Sequence, residues 1–93
     1  MNYQLRIKSS AKKELKRLPR SLLIRIKSAF DKLSKNPRPK GVIKLKTNLA
    51  NLYRIRIGDY RIVYEIQDHI LIIIVISVGH RREIYKKLKM NNI

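Results

Sequence analysis

Cysteine and tryptophan are absent from this 93-residue sequence, and only 6 of its residues are acidic. Without thiols there is no disulfide framework and no thiolate nucleophile, and two histidines are too few for an ordinary transition-metal site. A cysteine-free chain of this kind fits a reducing cytoplasm. Only 3 Gly and 3 Pro interrupt it, so there is no linker, repeat or low-complexity segment to divide it. The longest apolar run, ILIIIVISV at 70–78, is far too short to cross a bilayer. The opening MNYQLRIK lacks an apolar stretch of signal-peptide length. These absences point to one soluble, unexported domain over residues 1–93, with no membrane association and no cofactor, metal or small-molecule ligand.

What the chain has in excess is positive charge. Its 23 Lys and Arg give a net charge of +17, beyond what solubility requires and characteristic of proteins that meet nucleic acid or an acidic partner. The charge is uneven: residues 1–46 carry +13 and residues 47–93 carry +4. The N-terminal half therefore generates most of the field.

Apolar spacing divides the chain into elements. Residues 3–7 alternate Tyr3, Leu5 and Ile7 with Gln4 and Arg6, a short first strand. Ser9 or Ser10 is positioned to cap a helix with Glu14 near its positive end and Ala11, Leu15 and Leu18 as its buried stripe. Pro19 breaks it and suits the start of a second helix. In that helix Leu22, Ile26, Phe30 and Leu33 face inward, and Arg20, Arg25, Lys27, Lys32 and Lys35 face outward. The segment NPRPKG ends it at 36–41. From there the period shortens to that of strands, with a weak element at 42–45. Residues 53–66, YRIRIGDYRIVYEI, read as a hairpin turning at Gly58-Asp59. Residues 70–78 read as a β-branched strand covered on both faces. Residues 82–89 suit a short final helix with Ile84 and Leu88 facing inward. The expected fold is α+β: a mainly antiparallel twisted sheet carrying two N-terminal helices and a short C-terminal one.

The two-residue turn fixes which side chains share a face. Ile57 opposes Tyr60, Arg56 opposes Arg61, Ile55 opposes Ile62, and Arg54 opposes Val63. Arg54, Arg56 and Arg61 thus project together, while Tyr53, Ile55, Ile57, Tyr60, Ile62 and Tyr64 point to the helices. Opposed like charges cost a few tenths of a kcal/mol, roughly, which a bound polyanion offsets. Continued through a turn at Asp68-His69, the register sets Arg61 opposite Ile76. The end of the next strand, followed by Gly79-His80-Arg81, then lies beside the arginines. Arg81 and Tyr85 are four apart and share a face of the last helix.

Such a group meets the needs of metal-free RNA cleavage. The ribose 2′-hydroxyl attacks its own phosphate, which requires a base, cations for the phosphorane charge and an acid for the 5′-oxygen. Arginine offers permanently charged planar forks for phosphate oxygens but is a poor base. Tyr85 and His80 are the conventional proton carriers nearby, and Tyr85 equally suits stacking on a base. Each residue also has a plainer reading: a solvated sheet face for Arg54 and Arg56, a loop residue for His80, helix packing for Tyr85, a surface corner for His69.

Together, YRIRIGDYRIVYEI and VISVGHRREIY resemble the RelE toxins of the RelE/ParE superfamily, and the resemblance covers nearly the whole chain. It implies a RelE-like fold and a ribosome-dependent messenger RNA endonuclease, silenced by a cognate acidic or amphipathic antitoxin of the RelB kind. Ribosome, ribosomal RNA and messenger RNA are the further partners it implies. Carried over by motif, the family's site falls on Arg54, Arg56, Arg61, Arg81 and Tyr85. Lys is common in the family at the first two of these positions, and its replacement by Arg directs attention to Tyr85 or His80 for proton transfer. ParE-like members poison DNA gyrase and typically lack this basic set. A non-catalytic RNA-binding module would need only the basic helices and the arginine face.

Overall fold

The computed structural model describes residues 2–45 and 51–80, together with Arg82 and Ile84. Strand β1 (Gln4–Ile7) leads into helices α1 (Ser9–Lys16) and α2 (Arg20–Lys35), followed by the two-residue β2 (Ile43–Lys44), β3 (Leu52–Ile57), β4 (Tyr60–Gln67) and β5 (Ile72–His80). The strands form one sheet in the order β1-β5-β4-β3-β2. It is antiparallel except where β1 runs parallel to β5. Two helices on a mainly antiparallel sheet is the α+β arrangement that the apolar spacing predicts.

The core lies between the helices and one sheet face. Ala11 from α1 and Ile26, Ala29, Phe30 and Leu33 from α2 close over Tyr53, Ile62, Tyr64, Ile66, Ile73, Val75 and Val78. Their positions follow from the two periods: 3.6 residues along α2 and alternate residues along β3 and β4. Each large apolar side chain fully withdrawn from water contributes about 1.5–3 kcal/mol. A smaller cluster of Leu45, Val63 and Ile84 occupies the opposite sheet face. Ile84 is therefore buried as expected, but against the arginine side of the sheet. The rest of the expected final helix lies outside the described residues.

Three local expectations are corrected. The cap of α1 is Lys8, with no side-chain hydrogen bond from either serine, and both Ser9 and Ser10 are already helical. The last strand begins at Ile72 rather than residue 70, because Asp68–Ile70 form a 3₁₀ turn and Leu71 adopts a left-handed conformation at φ 54°. Finally, Arg61 pairs with Gly79, three residues beyond the predicted Ile76. The longer turn accounts for two of those residues. The third is Ile76 itself, the extra residue where the β4–β5 ladder shifts between Val63 and Tyr64, as in a β-bulge.

The far end of the sheet is fastened by the segment that leaves α2. The Arg38 guanidinium donates to both carboxylate oxygens of Asp68, at 3.0 and 2.7 Å, and through Nε to the Tyr53 hydroxyl at 3.2 Å. Tyr3 donates its hydroxyl to the same Asp68 at 2.7 Å, and buried Tyr64 donates to the Pro37 carbonyl at 2.7 Å. The α2 exit, the β4–β5 corner and the N-terminal strand thus meet at one point.

Candidate functional site

The β3–β4 hairpin has the register predicted from its turn: Arg54 opposes Val63, Arg56 opposes Arg61, and Ile57 opposes Tyr60. Gly58 enters the turn at φ +60°, the left-handed value that a Gly-first two-residue hairpin uses. Arg54, Arg56 and Arg61 therefore share the sheet face away from α1 and α2. Their exposures differ: Arg56 is exposed, Arg54 is half-buried, and Arg61 is only 6% exposed.

Arg61 is held by its own hairpin. Its Nη1 donates to the carbonyls of Gly58 at 3.3 Å and Tyr60 at 3.2 Å. Its Nε is buried with no hydrogen-bond partner. Among the described residues no carboxylate forms an ion pair with it. A buried guanidinium donor without an acceptor costs about 1–3 kcal/mol. Anchoring through Nη1 leaves Nε, one arm of the fork that matches two oxygens of a phosphate, without an acceptor among the described residues. Across the ladder on the β5 side stands Gly79, which adds no side chain beside this fork.

The surroundings combine apolar support and charge. Leu45, Val63 and Ile84, flanked by Leu52 and Ile76, make a dry floor on the arginine face. Where β2 begins, Lys40, Gly41 and Ile43 form a hollow with Arg54, Ile55 and Arg56. On the helix side, every Lys and Arg between Lys8 and Lys35 is exposed.

His80 is placed differently from the arginines. It pairs with Tyr60, one residue out of phase with the Arg61–Gly79 pair, and its ring lies edge-on to Tyr60 at 5.7 Å. Pleat alternation directs those two rings to the face opposite Arg61. The His80 Nδ1 accepts the Arg82 amide at 3.4 Å. Of the six predicted site residues, the structure brings Arg54, Arg56 and Arg61 together and turns His80 from them. Arg81 and Tyr85 lie outside the described residues.

Sequence reasoning overlooked two side chains beside the site. Ser77 and Arg61 are the buried polar residues of the described chain, and Ser77 stands across from Val63 on the same face. Its hydroxyl lies 3.1 and 3.2 Å from the carboxylate oxygens of Glu14. The available signal was the isolation of Glu14 in the otherwise basic KKELKR.

Residues 5–85 match the family described as "ParE toxin of type II toxin-antitoxin system, parDE". Among curated relatives, toxin RelG of Mycobacterium tuberculosis is 34% identical over 94% of this chain and all of its own length. The RelE–RelB complex of the archaeon Pyrococcus horikoshii contains a chain that superposes with a TM-score of 0.78 at 32% identity, covering 87% of this chain and 97% of that one. The toxin–antitoxin complex RelBE2 of M. tuberculosis gives 0.76 at 30% identity, covering 87% and 100%.

Proposed function

Because the chain belongs to the RelE-like toxins of type II toxin–antitoxin systems, we propose that it is an endoribonuclease that cuts messenger RNA in the ribosomal A site. The observation that carries this reading is Arg61, a buried, pre-oriented guanidinium with an unpartnered Nε, directly opposite a second arginine. Holding such a group costs stability, and the natural acceptor for it is an anion that arrives with the substrate.

In the proposed reaction the 2′-oxygen bonds to phosphorus and the bond to the 5′-oxygen breaks, leaving a 2′,3′-cyclic phosphate and a 5′-hydroxyl. Arg61 stabilises the phosphorane charge, and Arg54 and Arg56 hold the backbone. Arg81 serves the leaving oxygen, and Tyr85 orients the 2′-hydroxyl or stacks on a base. The phase of His80 argues against a direct role for it. The exposed cations of α1 and α2 suit salt-sensitive contacts with ribosomal RNA phosphates.

The same reading includes a cognate antitoxin, since relatives have been solved as RelE–RelB and RelBE2 complexes. A groove between α2 and β3 suits an amphipathic acidic segment: Ile55 and Ile57 form its floor, with Ile24, Arg25 and Lys32 on its helical wall.

Primer extension on messenger RNA from a translation reaction tests the proposal. Cuts at the A site with the wild-type protein, absent with Arg61→Ala, are the expected result. Toxicity in cells without cuts would favour gyrase, the target of ParE-like members, a reading that the family match also permits.

A further inference from the structure

Strand β1 covers the outer edge of β5 only from Ile72 to Val75. Beyond that point the edge has no neighbouring strand among the described residues, and the amide of Val78, a residue 1% exposed, would lack an acceptor there. Glu14 supplies it. From the middle of α1 its Oε1 accepts the Val78 N–H at 3.1 Å, and its two oxygens share the Ser77 hydroxyl. Its Oε2 also lies 3.8 Å from the point where a Cβ on Gly79 would stand. One carboxylate therefore binds two consecutive residues of β5 and stands close to a third, taking over where the pairing with β1 ends at Val75.

Those residues border the proposed cleavage site. Gly79 opposes Arg61, and Ser77 occupies the next rung on that face. Immediately after His80 the sequence continues into Arg81, a further arginine of the proposed mechanism. Hydrogen bonds from a backbone amide and a hydroxyl to a carboxylate are charge-assisted and shorter-ranged in their geometric tolerance than packing contacts. An error of about 1 Å in the placement of reacting groups can cost on the order of 100-fold in rate.

We propose that Glu14 is a positioning residue of the cleavage site, locking the end of β5 to α1 and thereby setting where Ser77 and Gly79 stand relative to Arg61. This inference rests on the endoribonuclease reading and extends it to a residue on the opposite layer of the fold. Glu14 acts through β5 and does not touch the scissile phosphate. Its effect therefore falls on turnover and leaves ribosome binding intact.

The test measures kcat and KM for A-site cleavage on programmed ribosomes with Glu14→Ala, Glu14→Gln and Ser77→Ala, alongside amide hydrogen exchange at Val78. Glu14→Ala is expected to lower kcat on the order of 10- to 100-fold with KM unchanged, and to lose Val78 protection. Glu14→Gln keeps an acceptor oxygen for Val78 and is expected to recover most of both. Ser77→Ala keeps the amide bond, should fold if Glu14→Ala does not, and is expected to show an intermediate loss of kcat. Unchanged kcat in Glu14→Ala, or in Ser77→Ala where Glu14→Ala does not fold, overturns the inference, as does a change confined to KM. A wild-type protein that cuts nothing while Val78 remains protected overturns the cleavage reading, and the positioning role falls with it.

Discussion

Arg38 and Asp68 face each other across the end of the sheet in a two-pronged ion pair, Nη1 to Oδ1 at 3.0 Å and Nη2 to Oδ2 at 2.7 Å. Thirty residues separate them in sequence, and the pair joins the α2 exit to the β4–β5 corner. It stands far from Arg61 in the topology, so its consequences are for stability.

The hydrogen bonds from Arg38, and secondarily from Tyr3, hold the Asp68 carboxyl down to about 2. Its folded value is thus depressed below the unfolded value of about 4. A depressed carboxylate contributes stability that is present above the unfolded value and lost as pH falls through the folded one. The stability gap between wild type and Asp68→Asn is therefore expected to be full at pH 5–7 and to shrink between about pH 4 and pH 2. Urea unfolding at stepped pH measures this. A gap that stays constant down to pH 2 would contradict the assignment.

Arg61 should show opposite effects on stability and activity. Replacing it with Met removes a buried charge with an unpartnered Nε while retaining length, which is expected to leave stability unchanged or raise it by about 1 kcal/mol. Cleavage should be lost. Thermal unfolding and the primer-extension assay on one preparation provide both readings. A strongly destabilised Arg61→Met would make this arginine a structural element.

Tyr64 reports on the buried side of the sheet. Burial raises its hydroxyl well above the ordinary tyrosine value. A raised folded value means that its contribution is complete below the unfolded value of about 10 and declines as pH rises above it. Tyr64→Phe, which also deletes the bond to the Pro37 carbonyl, is expected to cost about 1 kcal/mol at neutral pH. That deficit should narrow above pH 10, where only the wild type loses stability through this residue. Chemical denaturation at pH 7 and pH 11 distinguishes the two regimes.

The hairpin was legible in the sequence because a two-residue turn leaves the register no freedom, so the shared face of Arg54, Arg56 and Arg61 followed directly. The β4–β5 pairing was not. In ILIIIVISV every position is apolar or small, so alternation carries no phase, and neither the 3₁₀ turn nor the extra residue Ile76 leaves a mark on the pattern. The same error concealed the phase of His80. Glu14 was read as a local feature of its helix, whereas its partners Ser77 and Val78 lie 63 and 64 residues away. Contacts of that span have no signature in local spacing. The membership of Ile84 in the cluster on the arginine face was equally beyond a periodic reading.

The parallel pairing of β1 with β5 bears on how the protein is made. Among the described strands β1 joins the sheet through β5 alone, and α1 packs on that same strand. Until β5 has emerged during translation, β1 lacks the strand it pairs with, α1 lacks the strand it packs on, and Arg61 lacks its neighbour on that side. Contacts between distant parts of a chain form late because loop closure precedes them. The nascent protein therefore cannot complete its arginine face until synthesis has passed residue 80, when the whole of β5 is available to pair with both β4 and β1.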